Sequence, residues 1–152
     1  MPVGSLCIVI QLHVPYVRRA GMWPYGEYQL YEAMADAFIP LLDAIADLHA
    51  EGLAPRFTLA LSPLVADQLA DLLLRTGFEE YVLRRIRQAD DDAASGGPDL
   101  VAAARRQKER DLALLESWVT RHKRDIVRTI RHLEREGAIE AIGMPATAAI
   151  LP

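Results

Sequence analysis

Three short apolar segments, separated by stretches with helical periodicity, constrain the fold of this chain more than any other feature. They cover residues 6–12, 56–61 and 139–142. Short apolar runs rich in β-branched residues are typical of strands buried on both faces of a parallel sheet. Parallel strands need long connections, and a helix usually supplies them. The sequence therefore predicts an α/β fold in which long helices connect parallel strands.

Apolar residues at spacings of three and four predict four helices between these strands. The predicted helices cover residues 27–50, 63–74, 78–88 and 100–136. Pro40 is expected to kink the first helix, and Gly77 to separate the second from the third. The stretch 90–99, rich in Asp, Ser and Gly, is predicted to be a surface loop. His122 falls on the apolar side of the last helix, so we expect a hydrogen-bonded histidine at the edge of the core.

The composition narrows the classes of function. With 152 residues, 51% of them hydrophobic, the chain can bury one core, so one domain is expected. The net charge of -4 comes from mixed acidic and basic residues, and nucleic acid is not an expected partner. The run at residues 6–12 is too short to span a membrane and lacks the basic residues of an export signal. Cys7, the single cysteine, is expected in the core, which favours a cytoplasmic location.

Polar side chains lie where the strands are predicted to end. His13 directly follows the first strand, and Pro15 then ends the ladder because it lacks a backbone donor. In parallel α/β sheets, ligand-binding groups collect at the carboxyl edge of the strands. Glu140 lies within the third predicted strand, where a buried carboxylate is costly unless it is paired. Glu140 therefore indicates either a functional site or an ion pair.

Several separated segments match a known family in order and spacing. They are QLHVPY at residues 11–16, VRRAGMWPYGE at 17–27, LYEAM at 30–34, IPLL at 39–42, TLALSP at 58–63 and GAIEAIGMPATAAILP at 137–152. On these segments the chain resembles the N-terminal region of glycoside hydrolase family 57, and within it the 1,4-α-glucan branching enzymes. The resemblance implies that residues 1–152 form the N-terminal portion of a catalytic barrel. The implied fold is a partial (β/α) barrel of the glycoside hydrolase and deacetylase type.

The resemblance implies that this chain supplies substrate-binding residues but not the reacting carboxylates. Its α-glucan-binding residues would be His13, Gln11, Tyr16, Trp23 and Glu140, with His13 and Glu140 at neighbouring strand ends as the rim of a pocket. Retaining enzymes use two carboxylates about 5 to 5.5 Å apart. In the family these are a glutamate nucleophile and an aspartate acid/base, in motifs that these residues do not match. The chain alone is therefore expected to be inactive, and either the remainder of the barrel or a homo-oligomer would cover its open sheet edge.

Two departures from the family pattern leave alternatives open. The family has histidine where this chain has Gln11, and a Thr-His pair where it has Thr147-Ala148. Both changes remove an imidazole, so glucan binding is expected to be weak or lost. A non-enzymatic module that binds carbohydrate or self-associates is one alternative. A deacetylase-like metal hydrolase is another, but glutamine in place of histidine disfavours a metal site, and we expect no metal and no cofactor.

Overall fold

The computed structural model describes residues 4, 6–22, 24 and 26–146. Three parallel strands form one sheet in the order β1-β2-β3. They are β1 (Val9–Leu12), β2 (Phe57–Leu61) and β3 (Ile139–Gly143). The predicted parallel α/β fold is confirmed, with the second and third strands within one residue of their predicted bounds. The first strand is shorter than predicted and begins at Val9, although the Ile8 carbonyl still accepts from the Thr58 amide at 3.1 Å.

Helices connect the strands, and a π-helical turn interrupts the first connection. The helices are α1 (Glu27–Ala33), α2 (Ile39–Ala50), α3 (Pro63–Ala70), α4 (Leu72–Ser95), α5 (Pro98–Thr120) and α6 (Ile126–Arg135). The π-helical turn, Met34–Phe38, lies between α1 and α2 and directly precedes Pro40. Proline cannot donate to the carbonyl four residues earlier and its ring crowds that carbonyl. The distortion expected at Pro40 is therefore a widened turn just before it.

The predicted break at Gly77 is wrong, because Gly77 lies inside α4. A Cβ at this position would lie 2.1 Å from the Tyr31 hydroxyl oxygen, so glycine permits α1 to pack closely on α4. The break lies instead at Asp71, whose extended backbone separates α3 from α4. The Asp71 carboxylate accepts hydrogen bonds from the amides of Leu73 and Leu74 and caps α4.

Two further predictions between residues 88 and 136 are wrong. The stretch predicted as a loop is mostly helical, since α4 runs to Ser95 and α5 begins at Pro98. Lys108 of α5 pairs with Asp90 of α4 at 2.6 Å, and this is one contact that holds the two helices side by side. The predicted long helix is divided, because Lys123 and Arg124 have φ of 53° and 60° and end α5. Asp125 then caps α6 by accepting from the Arg128 amide.

The helices cover one face of the sheet and leave the other bare. Register places Val9, Thr58 and Glu140 in one row, and Gln11, Ala60 and Ile142 in another. Side chains alternate between faces along a strand, so these two rows share one face. On it the edge-strand residues are exposed, whereas the central Thr58 and Ala60 are only 7% and 9% exposed. Val9 is 56% exposed on this face, whereas Leu59 on the opposite face is fully buried. We call the uncovered side, carrying these two rows, the bare face.

The bare face overturns two expectations. The first strand is not buried on both faces, since Val9 and Gln11 are exposed. Cys7 is also exposed and does not belong to the core. A strand sequence cannot show which of its faces the rest of the fold covers.

The hydrophobic core lies between the covered face of the sheet and the helices. Leu12 and Leu59 contribute from the strands, and Tyr31, Phe78 and Trp118 are the large aromatic members from the helices. Phe78 and Trp118 meet edge to face with ring centres 5.1 Å apart. In the part of the chain that the structure describes, no helix is long and apolar enough to cross a membrane.

Candidate functional site

Of the residues that the sequence singled out, Gln11 and Glu140 lie on the bare face, and His13 lies just beyond the end of β1. Gln11 lies in the same row as Ala60 and Ile142 and is exposed. His13 follows two residues later, just beyond the end of β1, and is also exposed. Strand alternation places Gln11 and His13 toward the same side. An amide and an imidazole therefore follow one another along one edge, both able to donate and accept hydrogen bonds.

The loop after β1 is anchored by a buried glutamine of α3. Gln68 accepts a hydrogen bond from the Val17 amide at 2.7 Å and donates one to the Pro15 carbonyl at 3.2 Å. Its side chain is fully buried, so these two contacts are shielded from water. Tyr16 lies between the two anchored residues and is 48% exposed. The loop thus presents Tyr16 to solvent from a fixed backbone.

The next part of the loop is held by two carboxylates. Arg18 pairs with Asp71, the residue that caps α4. Glu27 accepts a hydrogen bond from the Arg19 amide at 3.1 Å, and also one from the Tyr31 hydroxyl. Burial, followed by the charge of Glu27, raises the pKa of Tyr31, so this hydroxyl keeps its proton and remains a donor. These contacts hold the loop backbone in place at Arg18 and Arg19.

Glu140 is exposed on the bare face, so the expectation of a buried carboxylate is wrong. It accepts a hydrogen bond from the Thr58 hydroxyl at 3.1 Å, across the boundary between β2 and β3. Among the described residues Glu140 forms no salt bridge, so the structure does not support the ion-pair alternative. An exposed carboxylate costs little to place, because water solvates it.

His13 and Glu140 share a side of the sheet but are not neighbours. Strand β2 lies between their two strands, which separates them by about 10 Å across the sheet. Glu140 is level with Val9, four residues before His13, which adds about 13 Å along the strand direction. The expectation that they form one pocket rim at neighbouring strand ends is therefore wrong. Register depends on the pairing of strands, and the sequence of one strand does not determine it.

Two other site expectations, Trp23 and the Thr147-Ala148 pair, lie outside the described residues. Ser62 follows the central strand and stands at the N-cap of α3, before Pro63, but its hydroxyl makes no capping hydrogen bond. That hydroxyl is fully buried and has no hydrogen-bond partner among the described residues.

Sequence reasoning missed Gln68, Asp71 and Thr58. Gln68 carries a detectable signal, because it is a lone amide between the apolar residues Val65 and Leu69 on the buried side of α3. A buried amide must be hydrogen-bonded, so its position indicates a role in holding backbone. Thr58 becomes recognisable only once the register aligns it with Glu140.

The chemistry available here is hydrogen bonding and stacking. The three strands contain one carboxylate, Glu140, whereas retaining glycosyl transfer requires two flanking the bond. Among the described residues, no cluster of three or more His, Cys, Asp or Glu side chains is arranged to hold a metal ion. Gln11, His13 and Tyr16 suit a ligand rich in hydroxyl groups.

Comparison with known proteins identifies the relatives of this chain. No protein-family model matches it. It is 32% identical over 149 residues to a 1,4-α-glucan branching enzyme of Thermococcus kodakarensis. The crystal structure of that enzyme, in complex with glucose and additives, superposes with a TM-score of 0.88 over 95% of this chain. This chain is a homologue of the family 57 branching enzymes.

Two further solved structures support the assignment of the fold. The family 57 branching enzyme of Pyrococcus horikoshii is 31% identical, with a TM-score of 0.88 over 92% of this chain. The α-amylase AmyC of Thermotoga maritima is 20% identical with a TM-score of 0.80, which shows the fold alone. The predicted resemblance and the predicted partial α/β barrel are confirmed.

The match covers nearly all of this chain but a small part of each relative. The chain spans 22% of the length of the Thermococcus enzyme and 26% of each of the two solved branching enzyme chains. The family 57 branching enzymes thus contain this sheet and its helices as about a quarter of a larger protein. The open edges of β1 and β3 are where additional strands of a barrel would join, and the bare face would then line the barrel interior.

Proposed function

We propose that residues 1–152 form the N-terminal portion of a family 57 branching-enzyme barrel and contribute to α-glucan binding in glycogen or α-glucan metabolism. Gln11, His13, Tyr16, Trp23 and Glu140 are the proposed glucan-facing residues. The observation that carries the proposal is the bare face, where an amide, an imidazole and a carboxylate are exposed on the sheet of a branching-enzyme homologue.

The proposal includes no chemical step by this chain alone. A retaining mechanism needs a nucleophile and an acid/base, and the strands described here supply one carboxylate, Glu140. The remainder of the barrel would bring the reacting carboxylates to the edge where His13 and the anchored loop lie. We also propose a cytoplasmic location, which suits the single unpaired and exposed Cys7.

Titration with maltoheptaose, followed by amide NMR shifts, tests the binding part of the proposal. We expect small shifts at residues 11–17 and weak affinity, because the chain supplies part of a binding site. The His13→Ala variant should weaken the shifts several-fold. The matched control is His132→Ala, which removes an imidazole that is 69% exposed on the helix side of the sheet. Equal losses in both variants, or shifts that avoid residues 11–17, would contradict the proposal.

Incubation of the pure chain with amylose tests the catalytic part. We expect no new α-1,6 linkages after debranching and chain-length analysis. Clear turnover by the chain alone would refute the proposed inactivity, whatever the outcome of the binding titration.

A second candidate function is self-association of a non-enzymatic α/β module. The exposed side chains of Val9 and Ile142, together with the unpaired edges of β1 and β3, favour it. Sedimentation velocity over a hundredfold range of concentration distinguishes the two candidates. A concentration-dependent dimer that maltoheptaose does not perturb would favour the module.

A further inference from the structure

A groove whose lining includes six arginine and lysine side chains lies on the helix side of the sheet, away from the bare face. It has a volume of about 990 Å³ and runs between the C-terminal half of α2 and the outer side of α6. We call it the α6 groove and define it by Asp47, His49, Lys123, Arg128, Arg131 and Arg135. Its size is at the upper end of the range for small-ligand sites.

The charge of the α6 groove is positive although the whole chain carries -4. Two of the three carboxylates that line it are paired with arginine: Asp47 with Arg121 at 2.7 Å and Asp125 with Arg75 at 2.6 Å. Glu136 lies 3.9 Å from the His132 imidazole. Four lining cations form no ion pair with any described residue: Lys123, Arg128, Arg131 and Arg135. Their combined field is therefore not cancelled locally.

Three of these cations form a stripe along α6. Arg128, Arg131 and Arg135 are spaced by three and four residues, so they share the exposed side of the helix. The stripe is about 10 Å long at the rise of an α-helix. The opposite side of α6 is buried in the core through Ile126, Ile130 and Leu133, so the helix cannot roll. The stripe therefore faces solvent in a fixed orientation.

The floor of the groove is held by a buried hydrogen-bond chain. His122 is fully buried, with Nδ1 2.9 Å from the Thr129 hydroxyl and Nε2 3.1 Å from an Asp43 carboxylate oxygen. Ser117 donates to the same carboxylate at 2.8 Å. This chain links α2, α5 and α6 and so sets the distance between the walls. The expectation of a hydrogen-bonded histidine at this position is confirmed, and the groove is preorganised.

We propose that the α6 groove binds a small anion carrying several phosphate groups. Guanidinium groups match phosphate geometry with paired hydrogen bonds, and three in a row favour a ligand with more than one phosphate. The phosphates could belong to a free oligophosphate or be esters on a sugar. Added strands would join at the open edges of β1 and β3, and the groove lies between two helices on the covered side of the sheet. The site is thus independent of the proposed glucan-binding residues.

Calorimetric titration at low ionic strength tests this proposal with three probes: inorganic tripolyphosphate, glucose 6-phosphate and neutral maltose. The Arg128→Gln/Arg131→Gln/Arg135→Gln variant should lose affinity for the phosphate probes by about tenfold or more. The control is Arg87→Gln/Arg105→Gln/Arg106→Gln, which removes the same charge from exposed arginines of α4 and α5. This control variant should bind the phosphate probes with nearly the affinity of the unaltered chain. Circular dichroism establishes that both variants are folded.

The three probes also separate the sources of phosphate. Tighter binding of tripolyphosphate supports a free oligophosphate, and tighter binding of glucose 6-phosphate supports a phosphorylated sugar. Equal losses in the two variants would show binding by overall charge and overturn the proposal. No binding of either phosphate probe by the unaltered chain, or maltose binding as tightly as they do, would overturn it too.

Discussion

The helix side and the bare face of this protein differ in how many of their polar groups are hydrogen-bonded and how many of their apolar side chains are buried. On the helix side, both ring nitrogens of buried His122 have partners, and the buried Asp111 accepts from Arg85 and Gln107. On the bare face, Val9 is 56% and Ile142 39% exposed, and the edges of β1 and β3 are unpaired in the described chain. The difference indicates that the helix side contributes most of the stability, whereas the bare face is available for contact with a further part of a barrel or with a ligand.

The same difference separates the two proposed binding regions. The α6 groove rests on a completed hydrogen-bond network and needs nothing added. The proposed glucan-facing residues lie along an edge that the homologous branching enzymes contain as about a quarter of their chains. Substitutions of buried residues on the helix side should therefore lower the free energy of unfolding, and those of exposed residues on the bare face should leave it almost unchanged.

The Trp118→Ala substitution tests the helix side most severely. Trp118 is fully buried, packs on Phe78 and donates through its indole nitrogen to Glu79 at 3.0 Å. We expect the free energy of unfolding to fall by about 3–5 kcal/mol, measured by urea denaturation. The control is Leu112→Ala on the same helix, where the side chain is 47% exposed and the expected loss is about 0.5 kcal/mol. Similar losses in both variants would contradict this description of the core.

The Asp43→Asn substitution tests the hydrogen-bond network under the α6 groove. It should lower the free energy of unfolding at neutral pH by about 2–3 kcal/mol, because His122 and Ser117 lose a charged acceptor. The control Asp47→Asn removes a carboxylate that is 59% exposed, with a cost of about 0.5 kcal/mol.

The pH dependence of the Asp43 contribution has a definite sign. Burial acts to raise the pKa of Asp43, but hydrogen bonds from His122 and Ser117 outweigh it and hold the pKa below its usual 3.8. A carboxyl with a lowered pKa in the folded state stabilises fully above the unfolded pKa, and the stabilisation is lost as pH falls through the folded pKa. The difference between the unaltered chain and Asp43→Asn should thus narrow as the pH falls below about 4. A difference that widens as the pH is lowered would contradict a lowered pKa of Asp43 in the folded state.

The strands were predictable because their signals are local. β-branched apolar residues and the proline after His13 mark β1, and similar patterns mark β2 and β3. The family motifs on these segments indicate Gln11, His13 and Glu140 from the sequence alone. Their position relative to one another was not predictable, because it depends on β2 lying between β1 and β3.

The predicted helix boundaries are wrong where tertiary contacts outweigh local propensity. Gly77 was predicted to end a helix, but its lack of a side chain serves the contact with Tyr31. The break before Asp125 carries no glycine or proline, and two residues with positive φ produce it. A lone amide on the buried side of α3 signals that Gln68 holds backbone, but it does not identify which segment, because the loop lies more than fifty residues away.

The Gln68→Leu substitution examines the boundary between the two regions, where the helix side anchors the loop of the candidate site. Leucine keeps the volume but leaves the Val17 amide without its acceptor. We expect a loss of about 1–2 kcal/mol in the free energy of unfolding and faster hydrogen exchange at Val17. The control Gln88→Leu changes an exposed glutamine of α4 and should leave both measurements unchanged. Unchanged exchange at Val17 in Gln68→Leu would show that the loop is held by other contacts.

The Val9→Thr substitution should have the smallest effect and bears most directly on the bare face. Threonine keeps the β-branched shape, and 56% of Val9 is already exposed, so the free energy of unfolding should change by about 0.5 kcal/mol or less. The control Ile139→Thr lies on the covered face, where the side chain is 4% exposed, and should cost about 2 kcal/mol or more. Urea denaturation at two protein concentrations makes the comparison decisive. If Val9→Thr cost as much as Ile139→Thr, and the midpoint rose with concentration, a second copy of the chain would have to cover the bare face, because burial in a dimer gives both effects.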